Sequence, residues 1–482
     1  MRQQFGHGLV CIMMNLTEKK VVAIAGATGY IGKWFMDRFK DQYHIVGLSR
    51  KEVENNPQPE IEWRQVELYS ISSTTKALEG VDYAIYLVHS MNASTRLNQG
   101  SFEDTDLLLA DNFSRAATAN AVKQIIYLGG ILPKGEPEEE WSQHLRSRLE
   151  VEETLSTGTS ALTALRASII VGPGGSSFDM IKNLVKKLPV LICPQWTESE
   201  TQPISLKDTL TIIDACLGNE EVYDKAIEIG SPEVMTYKEM LIKTSMVMGK
   251  KRYVFSVPFF SPGLSKLWVG YFGESPSQLV SPLVESLKHT MTVSKELAFD
   301  AAPIDYQNYE EAVKIALETE KEPLLPSFKP LNKQKNTVRS FQRLPNNLRK
   351  SAYWAANRYM IWLPTFFKSI IIAKEDKERV ISLYISFIKV PMLQLSWVKD
   401  RSDKKRQLFY ISGGWLVSRS NYGWLEFREV LGGKYIISAI HEFVPKIPWF
   451  FYVNTQARLH LWVMNRYAKY LNKIIKKKGR LN

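Results

Sequence analysis

No uninterrupted apolar run of about 18 residues occurs in the 482-residue sequence, so a membrane-spanning helix is not expected. The nearest approach, Tyr353 to Ala373, is broken by Arg358, Pro364 and Lys368. Cysteine is equally scarce. Cys11, Cys193 and Cys216 are odd in number, far apart and without a CxxC or histidine partner pattern, which argues against a disulfide framework or a zinc site and for a reducing, cytoplasmic compartment. No metal is expected. The apolar run Leu9 to Met14 is too brief for a signal peptide and lacks a small-residue cleavage site, and Met13 or Met14 offers an alternative start.

What the sequence has instead is an ordinary globular composition, 45% hydrophobic and 23% charged, with length for two or three domains. The charge is divided unevenly. Residues 321–482 hold 31 Lys and Arg against 9 Asp and Glu, a net +22, whereas residues 1–320 carry a net −10. Two modules with different surroundings are implied.

The most informative stretch runs from Val21 to Gly32. Small and β-branched apolar residues predict a buried strand, and Gly26, Gly29 and Gly32 follow it directly. Gly26 permits a sharp turn, Gly29 lets a pyrophosphate approach the backbone, and Gly32 lets the next helix pack closely. That helix offers its positive end to phosphate. A second strand, His44 to Leu48, ends in Ser49 and Arg50 with no carboxylate. Asp or Glu there would bind a free ribose 2′-hydroxyl, whereas Ser49 and Arg50 suit a 2′-phosphate, so NADP(H) is favoured over NAD(H).

Further predicted strands at Ile61 to Leu68, Tyr83 to Ser90, Gln124 to Leu128 and Leu162 to Val171 alternate with helices, one over Phe102 to Val122 with Asp and Arg on its polar side. This alternation describes an α/β fold with a doubly wound parallel sheet. Helix Lys207 to Leu217, strand Lys225 to Gly230, helix Thr236 to Gly249 and strand Val254 to Pro258 continue it. The aromatic stretch Phe259 to Phe272 reads as core or as the lip of an apolar pocket.

The GATGYIG turn, Leu87-Val88-His89-Ser90-Met91, Tyr127-Leu128-Gly129-Gly130, His144-Leu145-Arg146-Ser147-Arg148 and Leu165-Arg166-Ala167 together resemble the atypical, NmrA-like branch of the short-chain dehydrogenase/reductases. So do Ser177 to Ile181 and Thr201 to Ile204, and the likeness reaches to about residue 320. Within the branch it resembles a bacterial subgroup with a second domain of unknown function. The resemblance implies that Gly26, Thr28, Gly29, Tyr30, Ile31 and Gly32 line the pyrophosphate, Ser49 and Arg50 the adenosine ribose, Leu68 the adenine, and Leu87, Val88 and His89 the middle of the cofactor.

The family's active members use a Tyr and, four residues later, a Lys. Here the helix offers His144 and Arg148 at that spacing. A histidine exchanges protons near neutral pH, the guanidinium favours its neutral form, and Arg148 holds its proton while binding ribose or a carbonyl. Gly129 and Gly130 stand where the usual serine would, with Ser142 and Ser90 as conceivable replacements. A hydrogen-bonded pair that orders a loop and does no chemistry is the plainer account of His144 and Arg148.

We expect an N-terminal domain over 1–325, a linker at 326–336 and a second domain over 337–482. Strand Val338 to Leu344, helical turns over Arg349 to Phe367 broken at Pro364, several alternating aromatic-rich strands and a last helix over Phe450 to Ile475 give the element order of an α+β helix-grip, START-like fold. That fold commonly holds an apolar molecule. Its basic clusters, Arg401, Lys404, Lys405 and Arg406 and the tail from Lys473, accompany no nucleic-acid motif, and peripheral contact with an anionic membrane fits them better. The expected function is an NADP(H)-binding oxidoreductase acting on an apolar metabolite such as a quinone, isoprenoid or lipid. The alternatives are a non-catalytic NADP(H)-bound sensor, scaffold or assembly factor, resembling the SDR-type accessory subunit of respiratory complex I, and a lipid-binding or transfer protein.

Overall fold

The computed structural model describes residues 19–89, 97–257, 285–319, 321–330, 337–368, 370–418 and 423–478. The candidate start at Met14, Cys11, Ser90, the aromatic stretch 259–272, linker residues 331–336 and Arg480 lie outside them.

The N-terminal sheet contains β1 (Val21–Ala25), β2 (His44–Ser49), β3 (Ile61–Gln65), β4 (Tyr83–Tyr86), β5 (Gln124–Gly130), β6 (Ala161–Ala167) and β7 (Lys225–Ile229), in the order β7-β6-β5-β4-β1-β2-β3 and parallel throughout. Strands buried on both faces are apolar at nearly every position, which is why VVAIA and IIYL read as runs, and Gln124 before the second is buried with its amide bonded to Thr163 and the Cys216 carbonyl. One face carries α1 (Tyr30–Phe39), whose Ile31, Phe35 and Phe39 join a cluster with Val22, Ile24 and Ile45. The other carries α3 (Phe102–Ala119), through Leu109, Ala110, Phe113 and Ala117. The helices α4 (Gln143–Leu155), α5 (Ser176–Lys187), α6 (Leu206–Cys216), α7 (Tyr237–Val247) and α8 (Tyr309–Glu318) complete this half, and α2 (Ile71–Ala77) joins β3 to β4. Segment 321–330 is laid against it: Ser327–Phe328 pairs with Val53–Asn55, and Lys33 meets Glu322.

The second half is an antiparallel sheet of β8 (Val338–Pro345), β9 (Ile371–Glu375), β10 (Val380–Ile385), β11 (Leu393–Trp397), β12 (Arg406–Gly413), β13 (Trp424–Val430) and β14 (Tyr435–Phe443). Their order is β9-β10-β11-β12-β13-β14-β8. An eighth strand, Leu97–Gln99, comes from the N-terminal half and pairs parallel with β8. One face, with Leu425, Phe427 and Ile436, packs on α9 (Ala352–Phe366) and α11 (Gln456–Lys478). Pro364 does not stop α9, which runs to Phe366; so near the C-terminus, proline removes only one hydrogen bond of the last turn. The final helical stretch is divided at Thr455, with α10 (Trp449–Asn454) before α11.

The opposite face of this sheet is buried over β8, β13 and β14, where charged residues stand among Phe341, Val430, Ile437 and Ala439 packed on Leu107 and Leu108 of α3. Arg428, 1% exposed, reaches Asp111 Oδ2 at 2.7 Å and Asn112 Oδ1 at 2.6 Å on α3, and Glu426 Oε1 at 2.7 Å on its own strand. Arg343 makes two bonds to Glu150 of α4, at 2.6 and 2.8 Å, and one to Asp104 at 2.7 Å. Arg339 reaches Glu67 at 2.8 Å and lies 3.8 Å over the Tyr69 ring. The polar side of α3 is an interface, because α3 is sandwiched between the two sheets: Glu103, Asp106, Asp111 and Asn112 are all buried. Arg406 likewise departs from a surface cluster and turns inward to Glu426 at 2.9 Å. A good part of the opposed charge of the two halves meets here.

Candidate functional site

The expected cofactor residues gather at the C-terminal edge of the parallel sheet, where the chain leaves β1 for β2 on one side and has β4 on the other, the place where open α/β sheets bind ligands. Gly26 has φ +95° and accepts from Gly29 N at 2.9 Å. A Cβ on Gly32 would stand 2.5 Å from Gly26 O, so the turn and α1 fit together only as glycines. Ser or Thr or Asn caps α2, α3, α4, α6, α7, α8 and α9, whereas α1 begins at Gly29 with no side-chain cap and no acid in its first turn. Its first N–H groups are open to an anion, with Thr28 and Gly29 exposed at the mouth.

Ser49 is buried and accepts from Lys51 N at 3.1 Å, and Arg50 is exposed beside it. Leu68 is buried, with its carbonyl held by Asn112 Nδ2 at 2.8 Å. Leu87 N bonds Ala25 O at 2.9 Å, which carries Leu87, Val88 and His89 across the turn from Gly26. Ile31 is buried in the core, and the Tyr30 ring packs on Gly172 and Gly175 with its hydroxyl buried, so these two face away from the open edge through their side chains. The glycine cradle and uncapped helix fit a dinucleotide pyrophosphate.

On α4, His144 and Arg148 share a face, and His89 from the end of β4 stands with them. Burial, then Arg148 and His89, holds the His144 ring well below the ordinary histidine pKa. Burial and Arg148 push His89 down to about 4 although its edge opens to the cleft. Both rings are neutral at pH 7. Burial alone would lower the Arg148 pKa, but Tyr127 and Asp106 outweigh it and raise it. Tyr127 Oη donates to Arg148 O at 3.2 Å. Ser142 caps α4, accepting from Leu145 N at 3.2 Å, and bonds Ser286 Oγ at 2.8 Å, which makes it a structural residue. Tyr86, Asp106 and Tyr127 were missed as members of this group; Asp106 is one of several acids on its helix, so nothing in the sequence singled it out.

His144 also forms the polar edge of a cavity of about 110 Å³. Gly130 and Ala167 floor it at the ends of β5 and β6, and Met180, Ile181, Trp196, Leu241 and Met291 wall it. Sequence reasoning did not find this pocket, whose lining comes from seven separate segments.

Residues 22–188 match the model of the NAD dependent epimerase/dehydratase family. The N-terminal part thus has a Rossmann-like NAD(P)-binding fold, similar over those residues to that family's. Auxiliary protein GraX of Staphylococcus aureus is 32% identical over 114 residues, 23% of this chain and 37% of that relative, so the match spans little more than a third of the relative's length. Among solved structures, a nucleoside-diphosphate-sugar epimerase from Staphylococcus aureus is 16% identical, covering 61% of this chain and 99% of its own, with a TM-score of 0.47. The NADPH-dependent quinone oxidoreductase QOR2 from Escherichia coli is 19% identical over 61% of this chain and 98% of its own, with a TM-score of 0.45.

Proposed function

We propose that this protein is an NADP(H)-dependent oxidoreductase whose substrate is a small apolar carbonyl compound of quinone type. The observation that carries the reading is the apolar cavity with His144 at its edge, adjoining the sheet edge where Gly26, Gly29 and Gly32 form the phosphate turn. Its size is of the order of the ~150 Å³ cavities that take up one benzene ring, which favours a ring over an isoprenoid chain or lipid. A bound NADP(H) would supply the hydride. Arg50 and Ser49, with no carboxylate beside them, support the 2′-phosphate form. Neutral His144 offers an N–H to a substrate oxygen, and the fixed charge of Arg148 stabilises negative charge developing there.

The test is NADPH oxidation, followed by absorbance, with a simple one-ring benzoquinone as acceptor. Turnover is expected in the parent and to fall by about 100-fold in His144→Ala, the lower range for losing a proton-exchanging group, with NADPH binding retained. Gly32→Ala is expected to abolish binding. Unchanged turnover in His144→Ala would remove that residue's role. NADPH bound tightly and never oxidised would instead support the second reading, a dinucleotide-bound sensor or scaffold. That reading is favoured by the absence of the Tyr and Lys pair and by the word auxiliary in the name of the GraX relative. The helix-grip element order of the second half, strand, helix, six strands, final helix, supports a START-like identity for it and keeps lipid binding as a third reading.

A further inference from the structure

Because the second sheet is antiparallel, its connections fall into two sets at opposite ends. At one end lie the β9–β10 turn with Asp376, Lys377, Glu378 and Arg379, and the β11–β12 connection with Lys399, Asp400, Arg401, Asp403, Lys404 and Lys405. This end is charged and of mixed sign. At the other end lie the α9–β9, β10–β11 and β12–β13 connections and the segment from β14 into α10. Backbone bonds tie them together: Ser386 N to Ile370 O at 2.8 Å, Trp415 N to Pro391 O at 3.1 Å, and Lys446 N to Leu416 O at 3.0 Å.

This second end exposes large apolar side chains. Phe387 is 80% exposed, Phe450 72%, Phe451 59%, Val390 58% and Trp415 37%. Among the described residues of 366–370, 386–392, 414–418 and 444–455 no Asp or Glu occurs, while Lys368, Lys389 and Lys446 do. The nearest carboxylate along β14, Glu442, accepts from Arg339 Nε at 2.8 Å. Aromatic tips ringed by lysines, with no acid among them, match the headgroup zone of an anionic bilayer: the rings enter the interface and the ammonium groups meet phosphate.

We propose that this end of the antiparallel sheet, at Phe387, Trp415, Phe450 and Phe451, is a docking surface for an anionic membrane. The surface differs from the basic clusters that the sequence suggested, since Arg401, Lys404 and Lys405 lie at the opposite end. It is independent of the oxidoreductase reading, because no residue of the dinucleotide edge or of the cavity belongs to it.

The experiment is co-sedimentation of the full-length protein with sucrose-loaded vesicles of phosphatidylcholine, alone or mixed with phosphatidylglycerol. The protein is expected to sediment with the mixed vesicles and more weakly with the neutral ones. Lys389→Glu with Lys446→Glu lowers binding by about 30-fold or more, from about fivefold per lysine, and Phe387→Ser with Phe450→Ser lowers it at least about tenfold. Lys404→Glu with Lys405→Glu leaves it within about twofold. No sedimentation of the parent with either vesicle overturns the proposal, as does an equal loss from variants at the two ends. A dimer in sedimentation velocity that Phe387→Ser with Phe450→Ser dissolves, without vesicle binding, overturns it in favour of a second copy. As a readout free of folding defects, brominated phospholipid in mixed vesicles is expected to quench emission in the parent more than in Trp415→Phe, and equal quenching counts against the site.

Discussion

The parallel sheet buries both of its faces, whereas the antiparallel sheet buries one face and, over β8, β13 and β14, part of the other, and the two do so by different chemistry. The parallel sheet is covered on each side by apolar clusters, and its chemistry is confined to one edge, where backbone turns at Gly26 and the end of β4 leave polar groups open. The antiparallel sheet has one apolar face under α9 and α11, while its other face sets Arg339, Arg343 and Arg428 against Glu67, Asp104, Asp111 and Glu150. A basic excess in sequence is therefore no direct measure of a basic surface. Here it also serves as complement to an acidic neighbour within the same chain.

The sharpest way to break this comparison is Arg428→Ala. If the charged face is a true interior, the substitution leaves Asp111 with Arg115 alone and Glu426 with Arg406 alone, and lowers unfolding free energy by up to about 3–5 kcal/mol, read by urea denaturation. A loss below about 1 kcal/mol would show the face to be wet and screened.

Acid is the next lever. His460 on α11 is pushed down to about 4 by burial, with no partner for its Nε2 among the described residues. Its folded pKa lies below its unfolded value, so between about pH 6.5 and 4 only the unfolded chain takes up the proton and stability falls as pH falls. This group accounts for on the order of 3 kcal/mol across that window, and His460→Leu is expected to flatten the pH dependence of chemical denaturation correspondingly. The depressed pKa of His441, on the charged face beside Glu426, adds a loss of the same sign that His460→Leu leaves in place.

The smallest effect tests whether the halves are thermodynamically one body. Ser101 caps α3 and Ser351 caps α9. Replacing either with Ala is expected to cost about 1 kcal/mol and to shift the same single calorimetric transition. Two transitions that respond separately would show that the charged face holds the halves together only loosely.

The parallel sheet was legible because strands covered on both faces are apolar at nearly every position, and the phosphate turn because only glycine satisfies its contacts. The antiparallel strands were legible from alternation, except β9, whose Ile371, Ile372 and Ala373 continue the apolar run of the preceding helix and carry no boundary signal. Strand Leu97–Gln99 was illegible, since three residues with no periodicity pair with β8 far along the chain. The cavity escaped for a related reason. Met180, Trp196 and Met291 each look like ordinary core residues, and only the fold brings them beside His144. The interface escaped because charge on a helix normally means water, and nothing local to α3 announces a second sheet.

The pairing of Leu97–Gln99 with β8 also sets a timetable. About 240 residues separate the two strands, so at 5–20 residues per second the ribosome needs roughly 10 to 50 seconds to deliver the partner. The parallel sheet is fully synthesised at Ile229, well before that moment. During synthesis the first half therefore exists for a time with the acidic flank of α3 uncovered and a strand unpaired, and the nascent chain meets the cell in that form before the last strands seal it.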